Sequence, residues 1–193
     1  MYKEKMNDIL KDIENKEVDI AGGAIVGMNL SIVNSLIIYI SNLTIGKKNY
    51  MLVQDKVKSI LSEAEKLKKN SLDIIDGDKD ILEEILNAYK LRKEKNEEYE
   101  HVCKKAVEFC MKVLNNGFDT IKLAERISKV GNKMLASDFK ICALYSFASI
   151  ESAIVNVEIN LNSIEDENFK DIVRQNCKLI LEEATKIKNN ICK

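Results

Sequence analysis

The segment from Ala21 to Ile45 constrains the fold of this chain more than any other, because it contains no charged side chain. It is long enough to cross a membrane. However, small and polar residues recur along it every three or four positions: Gly23, Gly27, Ser31, Asn34, Ser35 and Asn42. Such a stripe suits contact with other helices better than contact with lipid. We therefore expect a buried helix over about 22–44 in a soluble domain without a membrane span.

Apolar residues recur at helical spacing through most of the remaining sequence. They predict further helices over roughly 2–15, 52–67, 81–89, 102–114, 118–130, 138–162 and 166–190. Breaks are expected at "IIDGDKD" and at "NNGFD", where Gly, Asn and Asp signal turns. Ser137 is a candidate N-cap for the helix that starts at Asp138. The 193 residues include no proline and no internal repeat, so we predict one all-α bundle domain spanning 1–193.

Two of these helices, about 22–44 and 138–162, are unusually apolar over a wide face. A domain of this size buries only one such helix easily. The apolar surface that stays exposed is most simply buried against a second copy of the chain. The sequence therefore predicts a helical bundle that is built around two long apolar helices and forms a homodimer.

Composition excludes several function classes. The net charge of −1 gives no overall attraction to nucleic acid. The five cysteines form no C-x-x-C pair, which suits reduced thiols in the cytoplasm. With His101 as the only histidine, a His-based zinc site and Ser-His-Asp or Cys-His catalysis have little support. The charged N-terminal sequence is not that of a signal peptide. We expect a cytoplasmic protein with no bound metal.

Three aspartates, at 76, 78 and 80, form the motif "DGDKD". They suit an N-cap and an acidic first turn for the helix that follows. A calcium loop also begins D-x-D-x-D, but it requires Gly at the sixth position and Glu at the twelfth. Here those positions are Ile81 and Asn87, so this motif is not an EF-hand loop.

Three other motifs each admit a structural and a functional interpretation. Gly46, Lys47 and Lys48 end a helix in the usual way, or the two ammonium groups face an anionic ligand. The glycines of "AGGA", at 21–24, allow close helix packing or expose backbone N–H groups to an anion. Asn156 and Asn160 lie one helical turn apart and form either an inter-helix hydrogen-bond pair or a polar site.

Taken together and in order, these motifs resemble the cyclodeaminase/cyclohydrolase family over about residues 5–190. The matching elements are "GG" at 22–23, "NLTIGKKNY" at 42–50, "DGD" at 76–78 with "LNAYKL" at 86–91, "GNKMLASD" at 131–138 and "NVEINL" at 156–161. The family's Pro-Gly-Gly-Gly-Ser entry is replaced here by Ile20 to Ala24.

The resemblance implies an all-helical homodimer that acts on one-carbon derivatives of tetrahydrofolate, with no cofactor beyond that substrate. It places the catalytic aspartate at Asp78, where a carboxylate is able to hold the methenyl cation and activate water. The substrate-binding residues that it suggests are Gly22, Gly23, Lys47, Lys48, Asn132, Ser137, Asp138, Asn156 and Asn160. The two lysines would contact the glutamate tail.

Three functions are compatible with the resemblance. The first is methenyltetrahydrofolate cyclohydrolase, which opens the 5,10-methenyl bridge with water. The second is formimidoyltetrahydrofolate cyclodeaminase, which forms the same bridge and releases ammonia. The third is a family member that binds folate without turnover.

Overall fold

The computed structural model describes residues 2–14, 20–93 and 96–193. These residues form six α-helices and contain no β-strand, as the periodicity predicts. The helices are α1 (Tyr2–Glu14), α2 (Gly22–Asn42), α3 (Gln54–Leu91), α4 (Asn96–Val130), α5 (Ala136–Leu161) and α6 (Glu167–Cys192). Two short 3-10 helices, Lys48–Val53 and Lys133–Leu135, precede α3 and α5.

Helices α2 to α5 run up and down beside one another. Asn29 of α2 donates hydrogen bonds to the Tyr145 carbonyl oxygen, at 3.1 Å, and to the Ser149 hydroxyl of α5, at 2.7 Å. Asn34 donates to the Thr120 hydroxyl of α4 at 3.1 Å. The buried side chains between the helices form two apolar clusters, one at each end of the bundle. This packing fixes which residues of different helices meet at each end of α2.

Helix α3 continues without interruption through "IIDGDKD", so the expected break and N-cap at Asp76 to Asp80 are wrong. The reason is packing. A Cβ atom at Gly77 would lie 3.0 Å from the Phe109 ring of α4, so this glycine allows two helices to approach rather than making a turn.

The expected stop at "NNGFD" is wrong for the same reason, because α4 is continuous to Val130. A Cβ atom at Gly117 would lie 3.2 Å from Ile150 of α5. The connection between α3 and α4 is also shorter than predicted, since α4 already begins at Asn96.

The small-residue stripe of α2 is only partly buried. A Cβ atom at Gly27 would lie 2.9 Å from the Ser71 carbonyl oxygen of α3, and Asn34 is fully buried. In contrast, Ser35 and Asn42 are exposed. The stripe therefore predicts close contact correctly near the middle of the helix and fails at its C-terminal end.

One face of the α2 and α5 pair remains uncovered in the monomer. We call it the α2–α5 face. It consists of apolar side chains that are 40–61% exposed: Ile25, Ile32 and Tyr39 of α2, and Ile141, Leu144, Tyr145, Val155 and Ile159 of α5. By length and composition alone, Gly22–Asn42 and Lys133–Leu161 could each cross a membrane.

Candidate functional site

The carboxylate of Asp78 lies at the N-terminal end of α2, although Asp78 itself belongs to α3. The backbone N–H of Ala24 donates to Asp78 Oδ2 at 2.9 Å, and the N–H of Gly23 also bonds to this carboxylate. These N–H groups have no partner within their own helix and carry the positive end of the helix dipole. The anion that the backbone N–H groups of the "AGGA" segment bind is therefore the side chain of an aspartate in the same chain.

Gly23 makes this contact possible. A Cβ atom at position 23 would lie 2.1 Å from Asp78 Oδ1, which is closer than any two such atoms can come. At Gly22 a Cβ atom would meet the side-chain amide of Asn156, with Oδ1 at 3.5 Å and Nδ2 at 3.7 Å, which are ordinary van der Waals contacts. The two glycines therefore have different roles, and only Gly23 is required by the position of the carboxylate.

Asn156 and Asn160 of α5 reach the same end of α2. The Asn160 side-chain amide donates to the Asn156 carbonyl oxygen at 2.9 Å and to Cys110 Sγ of α4 at 3.6 Å. Asn160 therefore makes an inter-helix hydrogen bond, as one of the two interpretations from sequence has it, and both amides also lie at the end of α2 that receives Asp78. Asp78, Gly22, Gly23, Asn156 and Asn160 thus lie together at one end of α2.

The two acidic groups of this cluster, the Asp78 carboxyl and the Cys110 thiol, differ in their pKa values. Burial raises the pKa of Asp78 above its ordinary value of 3.8, and the N–H groups of Ala24 and Gly23 oppose that shift. Burial also raises the pKa of the Cys110 thiol to about 11, and the nearby Asp78 carboxylate adds to this effect. A thiol with this pKa stays protonated near neutral pH. Asp78 is therefore the group of this pair that is able to accept a proton.

The predicted lysines lie at the other end of α2. Lys47 and Lys48 are exposed, and Gly46 before them has a φ of +78°, a conformation that favours glycine. The Gly46 N–H donates to Gln54 Oε1 at 2.9 Å, and Gln54 Nε2 donates to the Tyr50 carbonyl oxygen at 2.9 Å. The expected end of the helix before "GKK" is thus present. The loop that follows is held by Gln54, the first residue of α3.

Asn132 and the start of α5 adjoin this loop. The Asn132 N–H donates to the Thr44 hydroxyl at 3.0 Å, and its side-chain amide donates to the Leu43 carbonyl oxygen at 3.4 Å. The prediction that Ser137 caps α5 is wrong, because the helix begins at Ala136, two residues earlier than predicted, and its N-cap is Leu135. Ser137 and Asp138 instead lie in the first turn.

The predicted site residues therefore form two groups rather than one. Asp78 and its neighbours lie beside the first turn of α2, whereas Lys47, Lys48, Asn132, Ser137 and Asp138 lie beyond its last turn. Helix α2 has 21 residues, and at about 1.5 Å per residue its ends are roughly 30 Å apart. Within one subunit, a small heterocycle beside Asp78 does not reach the lysines.

Sequence reasoning did not assign a role at the site to Cys110, Tyr50 or Gln54. Tyr50 stands in the quoted "NLTIGKKNY" stretch, but Gln54 carries no signal in the sequence. Among the residues that the structure describes, no three His, Cys, Asp or Glu side chains converge in a group that could hold a metal ion.

The departures from the family's entry motif leave the carboxylate contact intact. Ala21 has a φ of −105°, which is ordinary for alanine. Ala24 is buried, and its contribution to Asp78 is a backbone N–H that any residue except proline offers. The one glycine that the geometry requires, Gly23, is retained.

Comparison with known proteins identifies the family of this chain. The chain is 27% identical over 177 residues to a methenyltetrahydrofolate cyclohydrolase of Methylorubrum extorquens, covering 88% of this chain and 85% of that protein. Its fold matches the crystal structure of a formiminotetrahydrofolate cyclodeaminase from Thermotoga maritima with a TM-score of 0.84 and 26% identity. That match covers 96% of this chain and 90% of the other. The family model described as Formiminotransferase-cyclodeaminase matches residues 5–179, and the chain belongs to that family.

Proposed function

We propose that this protein is a methenyltetrahydrofolate cyclohydrolase, an enzyme that converts 5,10-methenyltetrahydrofolate and water into 10-formyltetrahydrofolate. The observation that carries the proposal is the Asp78 carboxylate, which is half-buried and held by the first N–H groups of α2. The relative of that name, at 27% identity, supports the same assignment.

The methenyl substrate is a cation delocalised over N5, the bridging carbon and N10. A carboxylate at about 4 Å from such a cation, at an effective dielectric constant of about 20, contributes about 4 kcal/mol of gross attraction. Only the part of this interaction that strengthens towards the transition state increases the rate. We therefore assign Asp78 a second role, as the base that takes a proton from the attacking water.

The reaction balances with one water and one released proton. The water oxygen forms a bond to the bridging carbon while one of its protons passes to Asp78. The C–N5 bond then breaks, N5 takes that proton back from Asp78, and the remaining hydroxyl proton leaves as the carbonyl forms. The product is the 10-formyl compound. In this scheme the tetrahydrofolate derivative is the only other participant, and no further cofactor takes part.

Side chains around Asp78 suit the polar edges of the pterin ring. Asn156 and Asn160 provide amide groups on one side, and the exposed Gly22 leaves room for a ligand beside the helix terminus. A buried polar ring needs hydrogen-bond partners, and amides provide both donors and acceptors. Lys47 and Lys48 suit the carboxylates of the glutamate tail, with Asn132, Ser137 and Asp138 as polar neighbours.

We propose that the active form is a cytoplasmic homodimer built on the α2–α5 face. A half-exposed large apolar side chain presents on the order of 100 Å², so the eight side chains of this face approach the roughly 800 Å² that one partner of a stable interface buries. A second copy offers the same apolar surface, which is what an isologous two-fold contact requires. Nucleic acid and membrane lipid are not partners in this proposal.

An antiparallel dimer also explains the division of the site. If the two copies of α2 run in opposite directions across the two-fold axis, the N-terminal end of one meets the C-terminal end of the other. Asp78 of one subunit then lies near Lys47 and Lys48 of the partner subunit. One extended folate is in this way able to contact both groups, which a single subunit keeps roughly 30 Å apart.

The cyclodeaminase reaction is the second candidate, since the Thermotoga maritima structure carries that name at 26% identity. Asp78 would there assist loss of ammonia from the formimino group. Ammonia release from 5-formiminotetrahydrofolate distinguishes the two reactions directly. A protein that binds folate but turns over neither substrate would be a binding-only family member.

The first experiment follows the absorbance of 5,10-methenyltetrahydrofolate with wild-type protein and with Asp78→Asn, after subtraction of the hydrolysis in buffer. The proposal requires fast loss of absorbance with the wild type and loss of most of that rate in the variant. Wild-type protein that behaves like buffer would refute the cyclohydrolase assignment, and formiminotetrahydrofolate would be tested next.

A further inference from the structure

We infer that Gln54 and Tyr50 are positioning residues that hold Lys47 and Lys48 ready for a polyanionic ligand, so that they set the preference for a long γ-linked glutamate tail. The inference rests on the proposed function for the identity of the ligand. Neither residue is assigned a contact with the reacting atoms.

Gln54, the first residue of α3, joins three backbone groups of the loop with one side chain. Its Oε1 accepts from the Gly46 N–H at 2.9 Å. Its Nε2 donates to the carbonyl oxygens of Tyr50, at 2.9 Å, and of Thr44, at 3.5 Å. The two lysines lie between these anchor points. A single amide therefore spans the loop from the end of α2 to the 3-10 turn.

Tyr50 fixes the same loop to the connection between α4 and α5. Its hydroxyl accepts from the Lys133 N–H at 2.9 Å. One residue earlier, the Asn132 N–H donates to the Thr44 hydroxyl at 3.0 Å, and Thr44 is fully buried. The two loops at this end of the bundle thus form one hydrogen-bonded unit, which limits the movement of the backbone that carries the lysines.

The lysines themselves remain available. Within the part of the chain that the structure describes, neither Lys47 nor Lys48 has a carboxylate within ion-pair distance. By comparison, Lys104, Lys105 and Lys122 are each paired with an acidic side chain. Two adjacent unpaired ammonium groups on a fixed backbone favour a tail with many carboxylates, such as a pentaglutamate, over the monoglutamate tail with its fewer carboxylates.

The test compares Gln54→Leu with wild type on methenyltetrahydrofolate that carries one glutamate or five γ-linked glutamates. The leucine keeps the size of the side chain and removes all three hydrogen bonds. We expect KM for the pentaglutamate to rise about tenfold, the effect of losing about one charge-assisted contact. KM for the monoglutamate and kcat for both substrates should change less than about twofold.

Two further variants keep the test interpretable. Gln175, an exposed glutamine of α6, provides the matched control, and Gln175→Leu should leave both KM values unchanged. If Gln54→Leu does not fold, Tyr50→Phe removes only the bond to the Lys133 N–H and should shift the pentaglutamate KM in the same direction by a smaller factor. An equal loss of kcat on both substrates would identify Gln54 as merely structural and overturn the inference.

Calorimetric titration with γ-linked pentaglutamate alone separates this inference from the proposed reaction. Wild type should bind the peptide, and Gln54→Leu should bind it at least about fivefold more weakly. If this holds while wild type turns over no methenyl substrate, the proposed function fails and the positioning role stands. Equal binding by wild type and Gln54→Leu, or no binding by wild type, would overturn the positioning role even in an active cyclohydrolase.

Discussion

The Asp78 carboxylate lies in the space that any side chain at position 23 would occupy, so Gly23 is required for this arrangement. A Cβ atom there would lie 2.1 Å from Asp78 Oδ1, whereas the neighbouring Ala24 donates its N–H to the same carboxylate at 2.9 Å. The position of the proposed base is therefore set by a residue on a different helix, 55 positions earlier in the chain than Asp78 by their residue numbers.

Replacement of Gly23 by alanine should remove most of the activity while leaving Asp78 in the sequence. The methyl group forces the carboxylate away from the N-terminus of α2, and a displacement of about 1 Å in a catalytic group costs about 100-fold in rate. Loss of methenyltetrahydrofolate absorbance measures kcat/KM. Gly22→Ala is the comparison variant: its methyl group meets Asn156 Oδ1 at a tolerable 3.5 Å and leaves the carboxylate in place, so it should lower the activity much less than Gly23→Ala even though it faces the space proposed for the ligand. Equal activity of the two variants would contradict the proposed geometry.

Asp78→Asn should be more stable than the wild type near neutral pH. Burial raises the pKa of the folded-state carboxyl above 3.8, so the folded protein holds this proton more tightly than the unfolded chain. The free energy of unfolding then decreases as the pH rises through the interval between the two pKa values. The asparagine variant lacks this decrease, so its advantage should grow over that interval and stay constant above it.

Urea unfolding at several pH values measures this difference. Asp76→Asn, on the exposed side of the same helix, controls for the loss of one negative charge. An advantage of Asp78→Asn that is largest at the lowest pH would have the wrong sign and would exclude a carboxyl whose pKa burial has raised.

The rate of the wild-type enzyme should fall at low pH as Asp78 becomes protonated. A base acts only in its deprotonated form, and burial places the pKa of this carboxyl above 3.8. The acid limb of kcat/KM should therefore have its midpoint above 3.8, and it should be absent from the residual rate of Asp78→Asn. Initial rates from about pH 4 to pH 8, corrected for hydrolysis in buffer, test this. Persistence of the limb in the variant would assign it to another group.

The helical class and most helix positions followed from the sequence, because apolar periodicity reports directly on which side of a helix is buried. The breaks at Gly77 and Gly117 did not follow. Glycine in a sequence signals either a turn or a close approach between helices, and the two cases are told apart only by the neighbour, here Phe109 or Ile150.

The sequence suggested the individual residues of the candidate site but not their arrangement in space. Asp78, Gly23 and Asn156 meet because α3 and α5 both lie antiparallel to α2. At its other end Asn132 bonds to Leu43 and Thr44, just before Lys47, for the same reason. Motif order along a chain carries no information about which end of a helix a motif adjoins. Gln54 could not be found at all, because a single glutamine that bonds to backbone groups leaves no pattern in the sequence.

A charged side chain on the α2–α5 face should convert the dimer to a monomer. Ile32 is 54% exposed near the middle of α2, and burying an unpaired lysine there costs several kcal/mol per charge. Ile32→Lys should therefore elute and sediment as a monomer. Leu179 of α6 is 53% exposed but lies off this face, so Leu179→Lys should leave the assembly unchanged. A dimeric Ile32→Lys, or a monomeric wild type, would contradict the proposed interface.

Mixing two variants that each have a low kcat/KM should restore activity at low substrate concentration if each site draws on both subunits. In an Asp78→Asn homodimer neither site has its base, and in a Lys47→Ala/Lys48→Ala homodimer neither site has its tail contacts. In a mixed dimer with antiparallel α2 helices, one site combines the intact Asp78 of one chain with the intact lysines of the other. The second site carries all the substitutions. At a pentaglutamate substrate concentration well below KM, co-expressed and tag-purified mixed dimers should therefore reach about half of the wild-type rate per dimer. If Asp78 and the lysines of the same subunit served one site, each site of the mixed dimer would remain defective and the rate would stay at the average of the two homodimers. The same mixture with Ile32→Lys in both chains should lose the restored activity, because restoration requires contact between the subunits.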